Sequence, residues 1–459
     1  MRQENAALRV RVAELEEKLR ATSSNSSKPP SSDPPWADPK PKGRRGGKRK
    51  RRPGGQPGHE GTTRELLPPE QVDEVVPCAP PERCGCGGRV ACVGQDPQRL
   101  QHVELPEVKA LVTEYQRFTG VCERCGRVHL GKLPPGVPPG VLGPRAMAVV
   151  AVFSGKYHLS KRQVEELLQD LLGIDVALGT VSNTEDRVSA ALEQPVEEAK
   201  AHVQEQAVVH ADETGHKVAG KKAWVWTAVT RLVSVFLIRA SRGADAAKEL
   251  LGAAFGGILV SDRWSAYSWV DAARRQLCWA HLIRDLKKIA ERGGRSAEIG
   301  NQILEYVKEM FALWHRYRAG KRGRPWLQRK MRVIREEVEN LLAQGTECGH
   351  SKTAETCKRI LKLKAALWTY VDVPGVEPTN NIAERTIRPY VLWRKSSFGT
   401  QSERGNLFVE RMMTVSATCK QQRRNVLEYV TAAVQAHYRG EIVPSLLPQV
   451  PAETMLAAA

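Results

Sequence analysis

The chain has 459 residues, 41% of them apolar, and a formal net charge of +19. The length is too great for one ordinary domain, and the apolar share suffices for real cores. The charge favours a polyanionic partner, nucleic acid before an anionic membrane surface. No apolar run approaches the roughly 18 residues that span a bilayer, and the N-terminus carries charges and a heptad instead of an apolar leader, so neither membrane insertion nor secretion is expected. Ten cysteines, several in short pairs, read as metal ligands rather than disulfides in such a chain.

Residues 1–20 carry a heptad: Asn5, Val12 and Leu19 fall at one seam position, Leu8 and Leu15 at the other. Glu4 pairs with Arg9, and Arg11 with Glu16, across a parallel two-stranded coil, and a seam asparagine favours one register and a dimer. A homodimer or higher homo-oligomer through this short leucine-zipper coiled coil is expected. Residues 21–69 form a Ser/Pro- and Lys/Arg-rich linker with almost nothing to bury, and disorder is expected there. Its cations Lys40, Lys42, Arg44, Arg45, Lys48, Arg49, Lys50, Arg51 and Arg52 are uninterrupted by an acid. Such an arm neutralises several phosphates and makes DNA binding steeply salt-dependent.

Residues 70–135 hold six of the ten cysteines. Cys84-Gly-Cys86-Gly and Cys122-Glu-Arg-Cys125-Gly are knuckle-like pairs, separated by Arg99–Val103 and Lys109–Phe118, which alternate like strands. This spacing predicts a zinc ribbon holding a structural Zn²⁺ on Cys84, Cys86, Cys122 and Cys125. The first pair is C-x-C where a ribbon usually has C-x-x-C, which leaves Cys78 or Cys92 as alternative ligands. Residues 140–200 read as helices. Val164, Leu167, Leu168 and Leu171 share one face, Gly173 breaks the run, and a second helix through Val181, Val188 and Leu192 is capped by Thr180 or by a Ser182/Glu185 box. Helix, glycine turn, helix is the pattern of a helix-turn-helix DNA reader.

Further on, Ala207–Ala211 predicts a buried strand ending at Asp212. Lys222–Thr230 and Leu232–Arg239 predict two more strands, Asp245–Leu251 a helix, Gly257–Ser261 a fourth strand ending at Asp262, and Gln276–Ala280 either a fifth strand or a helix. Three strands in a meander followed by a helical crossover can bring the fourth strand parallel to the first, with Asp212 and Asp262 side by side at the sheet edge where ligands bind. Paired carboxylates there suit a hard divalent ion, Mg²⁺ or Mn²⁺, and a third carboxylate completes a two-ion site. Glu384 fits that place. On a helix, Asn380 and Asn381 lie one turn before it and Arg388 one turn after, where they orient the carboxylate or meet phosphates. His210 and the tryptophans 224, 226, 264 and 269 read as packed residues, although a tryptophan stacked on a flipped base is the alternative.

The strings His210-Ala-Asp212-Glu213-Thr214-Gly215, Val260-Ser-Asp262-Arg-Trp-Ser-Ala-Tyr267, Cys278-Trp-Ala-His281-Leu-Ile-Arg284 and Asn380-Asn381-Ile-Ala-Glu384-Arg385-Thr-Ile-Arg388-Pro389 resemble the catalytic domain of bacterial insertion-sequence transposases. Together with the heptad, linker, cysteine cluster and Arg394-Lys395…Phe398-Gly399, they resemble the insertion-sequence-66 family, in its large transposase subunit. The resemblance implies a multidomain α+β chain whose catalytic core is RNase H-like, a mixed five-stranded α/β sheet over 205–285 and 373–440, with an Asp212–Asp262–Glu384 triad. The gap before Glu384 is more than twice the gap before Asp262. A helical insertion over 286–372 is therefore expected, with Ile303, Val307, Met310, Phe311 and Trp314 at helical spacing, followed by a flexible tail over 441–459. Cys278 and His281 stand at C-x-x-H ligand spacing, which reads as a second zinc site only if Cys348, His350 or Cys357 of the insertion supplies the missing partners. The resemblance implies instead a role bracing the active site, or contact with DNA, for Cys278, His281 and Arg284, and DNA contact by Arg385, Arg394 and Lys395. It implies cleavage at the element's terminal inverted repeats and transfer of the 3′ hydroxyl into target DNA, accessory transposition proteins, and a cytoplasmic, nucleoid-associated setting. A stand-alone RNase H-like nuclease, or an inactive DNA-binding regulator, are the alternatives.

Overall fold

The computed structural model describes residues 65–91 and 97–448. The heptad, the basic run with Arg44, Arg45, Lys48, Arg49, Lys50, Arg51 and Arg52, the alternative ligand Cys92, and residues 449–459 of the tail lie outside the described residues. The described chain divides into two compact units at Lys109 and Ala110.

The first unit is mostly irregular. The Arg83↔Arg89 bridge closes a turn in which the Cys84 N–H donates to Gly88 O at 2.9 Å and the Gly87 N–H to Cys84 O at 2.8 Å. Residues Arg99–Val103, expected as a strand, form none, and neither do Lys109–Phe118, all but the first of which belong to the second unit. Leu111 and Val112 are 99% and 92% exposed, so the alternation finds no surface to bury against. Alternation alone therefore does not make a ladder. The strands that do form are β1, Thr119–Val121, and β2, Val128–Leu130, antiparallel around Cys122 and Cys125.

The rest of the second unit is built on a five-stranded mixed sheet. Its strands are β3 (Val208–Val218), β4 (Lys221–Val229), β5 (Ser234–Arg239), β6 (Ile258–Ser261) and β7 (Arg275–Leu277), in the order β5-β4-β3-β6-β7. β3, β4 and β5 form an antiparallel meander, β6 lies parallel to β3, and β7 parallel to β6. The crossover from β5 to β6 runs through the helix Ala244–Leu251. Gly257 permits the entry of β6: a Cβ there would lie 2.3 Å from Gln206 O.

Contrary to expectation, β3 does not end at Asp212 but runs on to Val218, because β4 pairs with it from His210 to Val218, Asp212 opposite Thr227. What ends before Asp212 is the parallel ladder to β6, whose last pair is His210 with Val260.

The helical region holds α1 (Pro144–Ala151), a π turn (Val152–Lys156), α2 (Lys161–Leu172), α3 (Leu178–Ala191) and α4 (Glu193–Gln204). α2 opens on a capping box between Ser160 and Gln163 and closes on left-handed Gly173. α3 begins at Leu178, before Thr180, and no side chain caps it. The Thr180 hydroxyl is thus inside the helix; its backbone N–H bonds Ala177 O at 2.8 Å. The buried Val181 and Val188 join one apolar core with the β3–β5 meander and the C-terminal helices Glu403–Gln421 and Val426–Arg439. A second core gathers the helices Trp279–Ala290, Gly294–Arg318, Arg324–Gly345 and Ser351–Leu361 against Val260 and Leu277, with Ile303, Val307, Met310 and Trp314 buried and Phe311 partly so.

The outer edge of β5 is closed by side chains of the helix Glu403–Gln421. Backbone N–H groups of Ser234, Phe236 and Ile238 donate to Thr418 Oγ1 (3.1 Å), Thr414 Oγ1 (3.0 Å) and Glu410 Oε1 (2.6 Å). Strand spacing of two matches helix spacing of four, so the row of donors is met.

Candidate active site

Asp212 and Asp262 stand on neighbouring strands. Asp212 follows the last β3–β6 pair, and Asp262 follows the last residue of β6. Both are half-buried. Asp212 Oδ1 accepts the Glu213 N–H at 2.9 Å, and Asp262 Oδ1 accepts the Trp264 N–H at 2.8 Å. Burial pushes the Asp212 carboxyl well above its ordinary range, and the charges of Glu213, Asp262 and Glu384 push it further the same way.

Glu384 comes from α11 (Asn381–Ser397), which follows α5 (Ala244–Leu251), α6 (Trp279–Ala290), α7 (Gly294–Arg318), α8 (Arg324–Gly345), α9 (Ser351–Leu361) and the short α10 (Thr369–Asp372). α11 runs along the face of β3 that carries His210, Asp212 and His216. The His210 ring meets Asn380 Oδ1 at 3.1 Å, the Tyr390 hydroxyl meets the His216 ring, and Arg394 donates to Gly215 O. Beyond the helix, Thr400 pairs with Val218, and Gly399 is needed there: a Cβ would lie 2.1 Å from Lys217 O at a φ of +101°.

Asn380 is the joint of the site. It is 1% exposed; its side chain donates to Ala211 O at 2.7 Å, and its N–H donates to Cys278 Sγ at 3.1 Å. The Cys278 N–H in turn donates to Ser261 O at 2.9 Å, and the Glu384 N–H to Asn380 O at 3.1 Å. One residue thereby ties β3, the end of β6 and the helix of Glu384. Of the two roles expected of Asn380, orienting the carboxylate and meeting a phosphate, this geometry matches the first, because its polar atoms are committed inside the protein. Asn381, Arg385, Arg388 and Lys395 are exposed, whereas Arg394 is half-buried and bonded to β3.

The Glu384 carboxylate is turned toward α6. Its Oε1 lies 3.5 Å from His281 Nδ1 and 3.9 Å from Cys278 Sγ. Among the described residues, Cys278, His281 and Glu384 form the group whose ligand atoms all lie within 4.8 Å of one another; Asp212, Asp262 and Glu384 form no such group. His281 Nδ1 is buried without a hydrogen-bond partner. Burial holds the His281 ring below its ordinary pKa, with Arg284 adding to the effect.

Four residues that the sequence did not mark surround the aspartates. Glu213, pointing to the opposite face of β3, accepts from Arg242 Nη2 at 2.7 Å and from the Tyr267 hydroxyl at 2.7 Å. Burial raises its pKa, and Asp262 adds to that. The Arg242 guanidinium stacks on Trp264 at 3.8 Å, the residue whose N–H holds Asp262. Arg275, 1% exposed, donates to Asp262 O at 3.1 Å and brings a buried positive charge beneath that loop. Glu213 and Tyr267 sit inside the quoted strings and were legible as neighbours of the acids; Arg242 and Arg275 carried no signal. Trp226 is fully buried and Trp264 lies under Arg242, so packing accounts for both.

A cleft of about 490 Å³ opens beside α11, lined by Lys156, Tyr157, Arg385, Pro389, Met413 and Lys420 among others, with no acid in its lining. With each cysteine pair taken in its own unit, Cys84, Cys86 and Cys125 are exposed and Cys122 is half-buried. The Gly88 N–H and then the neighbouring Cys84 hold the Cys86 thiol below its ordinary pKa, and backbone groups of Cys125 and Arg124 do the same for Cys122. No described helix is long and apolar enough to cross a membrane.

The sequence profile of the Transposase IS66 family matches residues 139–407, and that of a family of unknown function matches residues 1–65. Two relatives from Sinorhizobium fredii (strain NBRC 101917 / NGR234), Uncharacterized protein y4qI and Uncharacterized protein y4hP, are each 26% identical to this chain. The alignments span 404 and 394 residues, covering 79% and 77% of this chain and 71% and 70% of those proteins.

Proposed function

The chain belongs to the Transposase IS66 family, and from that premise we propose that it cleaves the ends of a DNA element with divalent metal and joins the freed 3′ hydroxyl to target DNA. The observation that carries this reading is the joint at Asn380, which ties the strands of Asp212 and Asp262 to the helix of Glu384. The strand order β5-β4-β3-β6-β7, with three antiparallel strands and two parallel ones, supports an RNase H-like core. We assign Asp212, Asp262 and Glu384 as the catalytic carboxylates. The acid-free cleft beside α11 and the exposed Arg385, Arg388 and Lys395 support a DNA path along that helix.

The donor set fits a hard divalent ion. Its atoms are carboxylate oxygens, and Asp212 stands in an excess of negative charge that only a cation or a proton relieves. Asp212 and Asp262 would hold Mg²⁺ or Mn²⁺, with Glu384 joining after its side chain leaves His281. When bound, such ions activate the attacking oxygen and stabilise the leaving one. The protein's own part is placement. Trp264 N–H and Arg275 fix the Asp262 loop, Glu213 and Arg242 brace Trp264, and Asn380 keeps α11 on β3. Phosphodiester attack in line needs no covalent protein intermediate, so no serine or tyrosine nucleophile is called for. The cysteine pairs are assigned to structural zinc, and the helices over 286–372 to a cover over DNA.

The test is nicking and joining of element-end DNA by purified protein with Mg²⁺ or Mn²⁺. Asp212→Asn, Asp262→Asn and Glu384→Gln are each expected to abolish both reactions and keep end binding. A protein that binds ends and never nicks them is the regulator instead, and activity surviving in one variant removes that residue from the triad.

A further inference from the structure

We propose that Cys278, His281 and Glu384 form a binding site for one borderline-soft divalent cation of the zinc class, chemically separate from the hard-ion carboxylates of Asp212 and Asp262. Cys278 precedes the first turn of α6 and His281 lies one turn on, so C-x-x-H spacing directs both toward the same point. Glu384, from the first turn of α11, supplies the third donor. The separations are 3.9 Å from Sγ to Oε1 and 3.5 Å from Nδ1 to Oε1. In a tetrahedral zinc site, with metal distances of about 2.3 Å to sulfur and about 2.0 Å to nitrogen or oxygen, ligand atoms stand roughly 3.3–3.6 Å apart. The two separations to Glu384 are therefore within a few tenths of an ångström of ligand geometry, and all three ligand atoms lie within 4.8 Å of one another.

Two further observations point to a cation. His281 Nδ1 is a buried polar atom with no hydrogen-bond partner, a rarity that a metal bond would explain. The Asn380 N–H already donates to Cys278 Sγ, the outer contact that a ligating thiolate receives. Three protein ligands leave a fourth position for water or a phosphate oxygen. A thiolate and an imidazole exclude Mg²⁺ and favour Zn²⁺ or Co²⁺. Occupancy would hold Glu384 at His281, away from Asp212 and Asp262, so a zinc-class ion would oppose Mg²⁺-dependent cleavage. That consequence rests on the reading of Glu384 as the third catalytic carboxylate; the binding does not.

The experiment uses the full chain, reduced and stripped of metal, then loaded with Zn²⁺ or Co²⁺ and freed of excess. Metal per chain and the Co²⁺ thiolate charge-transfer band are measured for wild type, Cys278→Ser, His281→Gln and Cys122→Ser. Serine keeps an acceptor for the Asn380 N–H, and His281 has a 30% exposed side chain, so at least the second variant keeps its fold. The expected result is one equivalent fewer in Cys278→Ser and in His281→Gln, with Cys122→Ser losing metal from the knuckle while keeping this site's share. Equal metal content in wild type, Cys278→Ser and His281→Gln overturns the proposal. Protein that nicks DNA yet shows that equality retires the site alone; protein that binds the extra ion and, once stripped of it and given Mg²⁺ or Mn²⁺, still never nicks retires the transposase chemistry alone.

Discussion

At the scale of single residues, Asp212 sets function against stability. Its carboxyl is pushed well above the ordinary value, first by burial. The fold therefore keeps a proton that the unfolded chain has released, and this contribution to stability is present at low pH and lost as pH rises through the raised value. Without metal, Asp212→Asn is expected to unfold at a higher temperature than wild type at pH 7, and the gap is expected to close below about pH 4, near the ordinary aspartate pKa. A pH series of thermal midpoints checks this, and a gap that persists at low pH would mean that the gain came from elsewhere. Asn380 shows the limit of reading residues by helical position. Spacing put it on a face with Glu384 and Arg388, but capping geometry turned it inward to His210, Ala211 and Cys278.

At the scale of elements, the two joints on the sheet carry distinct predictions. The Glu403–Gln421 helix closes the β5 edge through Thr418, Thr414 and Glu410. Thr414→Val keeps the shape and strands the buried Phe236 N–H, at an expected cost of about 1–3 kcal/mol. Denaturant unfolding measures it, and a change under about 0.5 kcal/mol would show that the edge does not depend on that acceptor. The α11–β3 joint buries two imidazoles, His210 and His216, each with its pKa pushed down by burial to about 4. Below about pH 6.5 the unfolded chain takes up protons that the fold refuses until about pH 4, so stability falls with falling pH across that window, by up to about 3 kcal/mol per ring. His210→Gln is expected to flatten the fall, and an unchanged slope would remove His210 from it. The meander and crossover were legible in the sequence because β-branched runs alternate with turns. The continuation of β3 past Asp212 was not, since Glu213-Thr214-Gly215-His216 reads as polar loop until β4 pairs with it.

At the scale of the whole molecule, charge is the dominant property. The net charge of +19 includes the nine cations between Lys40 and Arg52. Each one that meets a phosphate adds about one to the slope of log affinity against log salt. Replacing Lys48, Arg49, Lys50, Arg51 and Arg52 with serine is expected to lower that slope by up to about 4.5 and to weaken all DNA sequences alike. Binding across a salt series checks it; an unchanged slope would mean that the arm does not touch DNA.

In the sequence by itself, the family was readable from four short strings, and the meander and crossover from apolar runs and turns; that the fourth strand lies beside the first, with Asp212 next to Asp262, came from the sheet itself. What was readable depends on local pattern: apolar runs, turns and the chemistry of a few neighbouring residues. The tertiary structure alone decided where long-range partners fall. It alone brought Arg242 and Arg275 to the aspartates, and it turned Glu384 toward Cys278 and His281. Those contacts join residues far apart in the chain, and a side chain's partner across such a distance is set by packing, which leaves no periodic mark in the sequence.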